Sequence, residues 1–365
     1  MNILIICGET SANQYGAHLA QALNALGHKA YSFGDSHLAL HTIQLLPINP
    51  VEHSVNIGSW GLKRHRLKTM ALVLKESKIS FDRAVIIDFP GYNFKIANLL
   101  QSFNISISTF ITPNFWLWNQ QRLGKKLLAY SDHVITIFEQ EFKFFSRINS
   151  NKSFYFGHPL LLEPSRPNTS PQNRTTIGLF PGSRKSEIKD HLPVMLNIID
   201  RLPADYTVKI VCNNNHLLPY IEQCLHPQQK RTIDIIYELS GPMDYALTAP
   251  GTNTLRLALI DVPMTIIGQL PFWIYAFAKL FMRINIKYIG LPNVVMNQLV
   301  CPEYVRPPKK EYKNIGHQIV QFLEDKHARS IFTEHMHSLR KQLAVAPSFY
   351  NSIANLIAPN KKTEV

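Results

Sequence analysis

One segment of the sequence, LFPGSR at positions 179–184, joins an apolar, strand-like run to a glycine-bearing turn and a cation. Gly182 can adopt backbone angles that are closed to other residues, and the amides of Ser183 and Arg184 would then face an anion at a helix N-terminus. The Arg184 guanidinium can add a bidentate, charge-assisted contact. The pattern predicts a phosphate site, although an ordinary strand-to-helix turn with a surface arginine has the same pattern.

Two carboxylates also come directly after apolar runs. Glu9 follows the run 3–7, and Asp88 follows the run 84–87. Ligands of open parallel sheets bind beyond the carboxyl ends of the strands, where a carboxylate can accept the proton of an attacking hydroxyl. An aspartate in this position is also typical of a helix N-cap or a turn. The residue types alone therefore leave the role of Asp88 open.

Apolar runs alternate with helical patterns along both halves of the chain, which predicts two α/β domains with doubly wound parallel sheets. The strand-like runs are 3–7, 84–87, 105–111 and 133–137, and then 176–180, 207–211, 233–237, 245–248 and 264–267. A helix is predicted from about residue 14 to residue 26. The segment 163–175 is rich in Pro, Ser, Thr and Asn, and is the best candidate linker. We therefore predict Rossmann-like domains over 1–165 and 166–345 that face each other across a cleft, followed by a helix and tail over 346–365.

The composition is that of a globular chain with an acidic partner. Of the 365 residues, 45% are hydrophobic, and the formal net charge is +13 at pH 7. Such a charge attracts nucleic acid, an anionic membrane or phosphorylated substrates. Nucleic acid is the least favoured, because the aromatic residues are not interleaved with the basic ones. The four cysteines are far apart, which indicates neither a disulfide framework nor a zinc site.

Two segments are candidates for contact with lipid. The basic run 63–68 adjoins Trp60 and an apolar stretch, and the aromatic segment 271–283 contains Lys279 and Arg283. A solvated helix face and a buried packing helix are the respective alternatives. We predict no transmembrane helix, since the longest uncharged stretch is short of the roughly 20 residues that a bilayer requires. Histidines two positions apart in 334–337 project to different sides of a helix, which argues against a metal site.

Taken in order, the turns of this chain resemble the motifs of the lipid-A-disaccharide synthase family, whose members are membrane-surface glycosyltransferases of the GT-B fold. Each motif is short, but the ordered set at compatible spacing covers most of the chain. The matching segments are 8–11, 16–17, 87–90, 157–160, 179–184, 251–252, 263–264, 291–293 and 302–303, together with Asn93, Pro113, Trp116, Trp118, Arg122, Glu187 and Leu255.

The resemblance implies inverting transfer from UDP-2,3-diacylglucosamine to 2,3-diacylglucosamine 1-phosphate, with release of UDP. It implies no metal or other cofactor and no nucleic-acid partner. It further implies peripheral contact with the anionic inner membrane of a Gram-negative bacterium, on the cytoplasmic face, with a homodimer as a further option. A carboxylate base suits this reaction, because the attacking sugar hydroxyl must lose its proton.

The resemblance also assigns roles to individual positions. The catalytic candidates are Asp88, Glu9 and Ser11. The donor-binding candidates are Gly182, Ser183, Arg184, Gly251, Thr252, Asn293 and Glu303. The candidates on the acceptor or lipid side are Asn93, Trp116, Trp118 and Arg122.

Several positions depart from the family pattern, and most of the changes make the predicted site more positive. They are Asn13, Gly91, Leu162, Pro250, Arg256 and Arg306. Arg256 replaces a customary glutamate, and we expect it to pair with a phosphate or with Glu303. These departures leave two alternatives: a diverged GT-B enzyme that uses another nucleotide sugar, and a non-catalytic lipid-binding or membrane-surface homologue.

Overall fold

The computed structural model contains two compact units, Met1–Leu162 with Leu343–Val365, and Glu163–Gln342. It describes residues 1–48, 60–89, 92–113, 116–117, 119–163, 174–212, 215–227, 229–237, 242–269 and 287–359, with the backbone alone at 10, 60–64 and 230–231.

The first unit is built on a parallel sheet. Its strands are β1 (Asn2–Cys7), β2 (Lys29–Gly34), β3 (Ile43–Pro47), β4 (Arg83–Ile87), β5 (Ser106–Phe110), β6 (His133–Thr136) and β7 (Ser153–Tyr155). Its helices are α1 (Thr10–Ala25), α2 (Ser36–Ala39), α3 (Trp60–Glu76), α4 (Asn93–Ser102), α5 (Gln121–Tyr130), α6 (Glu139–Ser146) and, after the second unit, α14 (Phe349–Ile357). The strands pair in the order β3-β2-β1-β4-β5-β6-β7.

The second unit repeats this plan. Its strands are β8 (Thr176–Phe180), β9 (Thr207–Val211), β10 (Ile233–Ile236), β11 (Tyr245–Thr248), β12 (Met264–Gly268) and β13 (Glu303–Val305), in the order β10-β9-β8-β11-β12-β13. Its helices are α7 (Lys185–Ile199), α8 (Leu218–Cys224), α9 (Gln229–Thr232), α10 (Thr252–Leu259), α11 (Leu291–Met296), α12 (Tyr312–Glu324) and α13 (Lys326–Gln342). Every residue of β8 and of β12 is buried, as expected where helices cover both faces of a sheet.

Both sheets reverse their strand order at one position, and that position decides where polar side chains meet. In the first unit the reversal lies between β1 and β4, and in the second it lies between β8 and β11. A doubly wound sheet opens a crevice outside the carboxyl ends of the strands at such a switch point. The turns that follow these four strands are therefore the places to look for function.

The predicted doubly wound sheets are confirmed, and each of the nine predicted strands is present within a residue or two. The sequence analysis missed β2, β3, β7 and β13. Three of these are edge strands, and β3 and β13 are partly exposed along their length, so their residues do not form an apolar run. The helix predicted to begin near residue 14 begins at Thr10, directly after β1.

Candidate functional site

The turns after β1 and β4 lie side by side. Cys7 pairs with Ile87 in the parallel register, so Gly8 and Asp88 follow adjacent strand ends. Asp88 has φ +34°, in the left-handed region that residues other than glycine seldom adopt. Its backbone N–H donates to the carbonyl of Phe110, 3.3 Å away. Backbone strain of this kind is concentrated at active sites and ligand clamps, and a catalytic role of Asp88 stays a prediction.

Glycine at position 8 brings the Asp88 turn close to β1. A Cβ atom at Gly8 would lie 2.2 Å from the ring of Phe89, so a larger residue would push this ring away. The Phe89 ring packs in turn on Tyr92, with 4.9 Å between the ring centroids. The glycine that follows the first strand therefore leaves the room that the Phe89 ring, next to Asp88, occupies.

Asn93 is the first residue of α4 and the least satisfied polar side chain near this turn. Its side chain is 4% exposed, and neither Nδ2 nor Oδ1 has a hydrogen-bond partner in the part of the chain that the structure describes. Leaving a buried amide group unpaired costs about 1–3 kcal/mol. Buried polar groups in folded proteins almost always have a partner, so this amide fits a ligand-binding role.

Glu9 and Ser11 lie at the start of α1, both partly exposed, with Glu9 as the N-cap residue.

The hydrogen bonds of Asn13 account for one departure from the family pattern. Its side chain is fully buried, its Nδ2 donates to the Glu9 carbonyl (2.8 Å), and its Oδ1 accepts from the Asp35 backbone N–H (2.9 Å). An ionised aspartate could make only the second bond, because it has no donor.

An aromatic series follows β5, β6 and β7. Trp116 packs on Phe138 with 5.6 Å between ring centroids, and Phe138 packs on His158 at 4.9 Å. The Leu160 N–H donates to His158 Nδ1 (3.2 Å), so the ring proton is on Nε2. Burial lowers the pKa of His158 to about 3, which keeps this ring neutral. Arg122 is exposed on α5, and Trp118 lies outside the described residues.

The predicted phosphate turn after β8 is held by a carboxylate of its own helix. Gly182 has φ +119°, and the Ser183 N–H donates to Glu187 Oε2 at 2.8 Å. The guanidinium of Arg184 lies 3.2 Å from the other oxygen of Glu187. A phosphate at the Ser183 amide would compete with Glu187, while Arg184 is held in place by it. Direct contact of Ser183 and Arg184 with the donor stays a prediction.

The neighbouring turn, after β11, differs because no carboxylate of the described residues binds its backbone amides. Thr248 pairs with Phe180, so the α10 N-terminus follows the strand next to β8. Gly251 is the N-cap of α10, with φ +146° and ψ −165°, and no side chain in the described part of the chain caps the helix. Backbone angles in this region are open only to glycine. Uncapped amides and the helix dipole make this terminus the better candidate for an anionic diphosphate.

Glu303 and Asn293 form a closed network around the start of α11. The Glu303 carboxylate accepts from the backbone N–H groups of Ile289 and Gly290 at 3.0–3.1 Å and from Asn293 Nδ2 at 2.9 Å. Asn293 is fully buried, and its Oδ1 accepts from the backbone N–H groups of Val300 and Cys301, each at 2.8 Å. These side chains shape the loop before α11. Their direct contact with a donor stays a prediction.

Two polar residues that the sequence analysis did not single out also hold this edge of the second sheet. Thr254 Oγ1 donates to the Gly251 carbonyl (2.7 Å) and accepts from the Leu291 N–H (3.2 Å). His191 Nδ1 lies 2.8 Å from the Glu187 carbonyl, and its Nε2 accepts from the Gln269 N–H at 3.1 Å. A hydroxyl two residues beyond a Gly-Thr turn was the available signal for Thr254.

Arg256 pairs with a different carboxylate from Glu303, one of the two partners expected from the sequence. Its Nη2 lies 3.0 Å from Glu163 Oε1, and both side chains are about one-third exposed. Because Glu303 is engaged by backbone N–H groups, the carboxylate at the start of the second unit takes this role. The positive charge of this departure is thus offset within the second unit.

The described residues contain neither a helix that is long and apolar enough to span a membrane nor a group of three or more side chains suited to a metal. The aromatic segment 271–283, which the sequence analysis proposed as a lipid contact, lies outside these residues, as does Gly91.

Solved structures with this arrangement identify the class of protein. The S. aureus MnaA–UDP co-structure matches with a TM-score of 0.63 and 12% identity, covering 98% of this chain and 95% of that one. The structure of MurG from Acinetobacter baumannii matches with a TM-score of 0.55 and 12% identity, covering 98% and 99%. At this identity the likeness concerns the fold alone, and the fold is that of the GT-B glycosyltransferases.

Sequence comparison narrows this class to one family. The family model described as lipid-A-disaccharide synthetase matches residues 3–352. Lipid-A-disaccharide synthases from Coxiella burnetii (strain Dugway 5J108-111) and Trichlorobacter lovleyi are 30% and 28% identical to the chain, over 94% and 93% of both sequences. The chain belongs to the lipid-A-disaccharide synthetase family, as its motifs indicated, and its activity is that of a glycosyltransferase.

Proposed function

We propose that this chain transfers a diacylglucosamine unit from UDP-2,3-diacylglucosamine to 2,3-diacylglucosamine 1-phosphate, with Asp88 as the general base. The Asp88 carboxylate takes the proton of the acceptor hydroxyl while this oxygen bonds to the anomeric carbon of the donor. The bond between that carbon and the diphosphate oxygen breaks at the same time, which releases UDP and inverts the anomeric configuration. The observation that carries this proposal is the strained backbone of Asp88, followed five positions later by Asn93, whose buried amide has no partner among the described residues.

Glu9 supports the acceptor side in a different way. It is the N-cap residue of α1, and the side chains of Glu9 and Ser11 are both partly exposed at the start of this helix. We therefore place Glu9 and Ser11 as residues that orient the acceptor. Trp116 and Arg122 complete this side, with the indole against an acyl chain and the guanidinium toward the acceptor phosphate.

We propose that the donor diphosphate binds at the N-terminus of α10. Among the described residues no side chain caps the amides after Gly251, and Thr252 supplies a hydroxyl at the first helical position. Arg184, held by Glu187, is available to stabilise the negative charge that grows on the departing diphosphate. The Glu303–Asn293 network supports the nearby loop.

Release of UDP tests the proposal as a whole. The purified protein, in detergent micelles with UDP-2,3-diacylglucosamine and the acylated sugar phosphate, is expected to release UDP and to form the disaccharide 1-phosphate in equal amounts. A Coxiella burnetii relative assayed in parallel controls for the quality of the substrates. Turnover by that relative and none by this chain would reject the proposed reaction.

Asn93 gives a prediction in which stability and activity change in opposite directions. Asn93→Leu replaces an unpaired buried amide by an apolar side chain of similar volume, so we expect an unchanged or higher melting temperature. We expect kcat/KM for the acceptor to fall by about 10- to 100-fold, the equivalent of about 1–3 kcal/mol. Asn13→Leu is the matched control, because that amide is equally buried but satisfied, and its replacement should lower the melting temperature. A large loss of stability in Asn93→Leu would show that Asn93 is structural.

We also propose peripheral contact with an anionic membrane at the cytoplasmic face through α3. Lys68, Leu72 and Lys75 lie at i, i+4 and i+7 on this helix, and Leu72 is 53% exposed. Cations that flank an exposed apolar side chain suit an anionic bilayer surface. The basic run begins at Lys63, on the same helix.

Sedimentation with vesicles tests this contact. Lys68→Gln with Lys75→Gln should weaken binding to vesicles of anionic phospholipid by about 30-fold, from roughly 1 kcal/mol per cation. Binding to zwitterionic vesicles should stay weak and unchanged. The matched control removes Lys309 and Lys310, two exposed lysines of the second unit, and should retain binding. Equal losses in both double variants would mean that net charge alone, and not α3, attracts the membrane.

A further inference from the structure

The carboxylate of Glu141 connects two loops at the acceptor side of the first sheet. Glu141 is in the first turn of α6 and is 1% exposed. Its Oε1 accepts from the Thr112 N–H (3.2 Å) and the Thr112 hydroxyl (2.5 Å). Its Oε2 accepts from the N–H groups of Ile137 (3.0 Å) and Phe138 (3.4 Å). One buried carboxylate thus ties the end of β5 to the end of β6.

The loop that Glu141 holds leaves β5 through a strained residue. Ile111, directly before Thr112, has φ +62°, which is a rare conformation for a β-branched residue. Such a conformation persists only where the surroundings fix it, and the two bonds from Thr112 to Glu141 provide this restraint. The Trp116 ring packs on Phe138, and the Phe138 N–H donates to the same carboxylate.

From this arrangement we infer that ionised Glu141 is a positioning residue that holds Thr112, at the start of the loop after β5, and the Trp116 ring on Phe138 in their acceptor-binding arrangement. The inference rests on the proposed function, because it deepens the acceptor side of that site. All four groups that face the carboxylate are donors, and an ionised carboxylate is the one side chain that accepts from all of them. Glu141 itself need not touch the substrate.

Protonation of Glu141 would release the loop. A carboxylic acid can donate to Thr112 Oγ1, whose hydroxyl can turn to the Pro113 carbonyl 3.2 Å away. The Thr112 N–H then loses its acceptor, while the bonds from Ile137 and Phe138 to Oε2 remain. Glu141→Gln places an amide NH2 where the acid has its proton, and so imitates the protonated form.

Burial raises the pKa of Glu141 to about 7, against the hydrogen bonds from Thr112, Ile137 and Phe138, which lower it. The folded chain therefore binds this proton more tightly than the unfolded chain. This contribution to stability is present below about pH 4.5 and is lost as the pH rises to about 7. The positioned loop has the opposite dependence and forms as the pH rises through 7.

Two titratable side chains on this side of the first unit, those of His158 and Tyr155, keep their charge in this range. Burial lowers the pKa of His158 to about 3, and burial, together with Glu139 and Glu141, raises the pKa of Tyr155 above its ordinary value of 10. Glu139, on the same helix, is exposed and paired with Lys143 at 2.7 Å. Loop release near neutral pH is thus a property of Glu141.

The acceptor KM and the tryptophan fluorescence, both measured between pH 6 and 8, test the inference. If only the ionised form binds, the KM of the unmodified protein rises about tenfold from pH 8 to pH 6. Because Glu141→Gln imitates the protonated form at every pH, its KM should be elevated at least about tenfold at pH 8 and should lack this added dependence. The phosphate of the acceptor also titrates near pH 6, but equally for each variant, so the ratio of variant to unmodified KM is the quantity to compare.

Two further variants separate ionisation from general damage. Thr112→Val removes a hydrogen bond that lowers the pKa of Glu141, so the midpoint should move to higher pH. Glu139→Gln removes an exposed carboxylate of the same helix and should behave as the unmodified protein. A Glu141→Gln ratio that is the same at pH 6 and pH 8 would overturn the inference.

Fluorescence provides a readout that does not depend on activity. A transition with a midpoint near pH 7 is expected in the unmodified protein, and it should be absent from Glu141→Gln and from Trp116→Phe. If this pattern appears in a protein that releases no UDP, the proposed reaction fails while the role of Glu141 stands. A transition that persists in Glu141→Gln rejects that role whatever the activity.

Discussion

Asp88→Asn should lower kcat by about 100- to 10,000-fold, which is the usual contribution of a positioned general base. Asparagine is the replacement of choice because it tolerates the left-handed conformation of this residue, where φ is +34°. An amide retains the shape of the carboxylate but has no lone pair of sufficient basicity for a hydroxyl proton. Binding of the donor should be unchanged, since the predicted donor residues lie in the second unit. The measurement is the rate of UDP release at saturating concentrations of both substrates.

A control for this prediction must remove a carboxylate from the same neighbourhood. Asp35 is near enough to Cys7 to raise the pKa of that thiol, as Asp88 also does, after the larger effect of burial. Asp35 caps α2 through the N–H groups of His37 and Leu38, and asparagine caps helices equally well. Asp35→Asn should therefore retain turnover. If Asp88→Asn and Asp35→Asn lose activity to the same extent, the rate depends on the negative charge of this region and the role of Asp88 as a specific base is rejected.

The sequence predicted the sheets because their central strands are apolar on both faces. Buried parallel strands such as β8 and β12 read as unbroken apolar runs, and these were placed within a residue or two. β3 and β13 could not be found in this way, because edge strands need only one paired side and their side chains are partly exposed. They become strands through pairing with β2 and β12, which is a tertiary effect.

The predicted site illustrates a similar limit. The motifs placed Asp88 and Gly251 after the correct strands, because strand ends and glycine turns are local features of a sequence. Glu141 was not singled out, since its hydrogen-bond partner Thr112 is 29 positions away. Nor could the sequence reveal that Glu187 folds back on the Ser183 amide. Contacts of this kind depend on how helices pack on a sheet.

Gly251→Ala should abolish most of the stabilisation that UDP gives to the protein. The backbone of Gly251 has φ +146° and ψ −165°, and a residue with a Cβ atom pays about 1–3 kcal/mol to remain there. The turn is therefore expected to relax, and the amides at the start of α10 lose their alignment toward the diphosphate. No atom lies within 4 Å of a Cβ built at this position, so the effect arises from backbone conformation and not from a clash.

The shift in melting temperature on addition of UDP measures this effect, because a ligand stabilises a fold in proportion to the logarithm of its concentration over Kd. Gly27→Ala is the matched control: Gly27 also has positive φ, at +81°, and has no atom within 4 Å of a built Cβ, but it lies in the first unit after α1. Both variants should lose some stability without ligand, and only Gly251→Ala should lose the response to UDP. An unchanged response in Gly251→Ala would place the diphosphate elsewhere, with the Ser183 amide and displacement of Glu187 as the next arrangement to test.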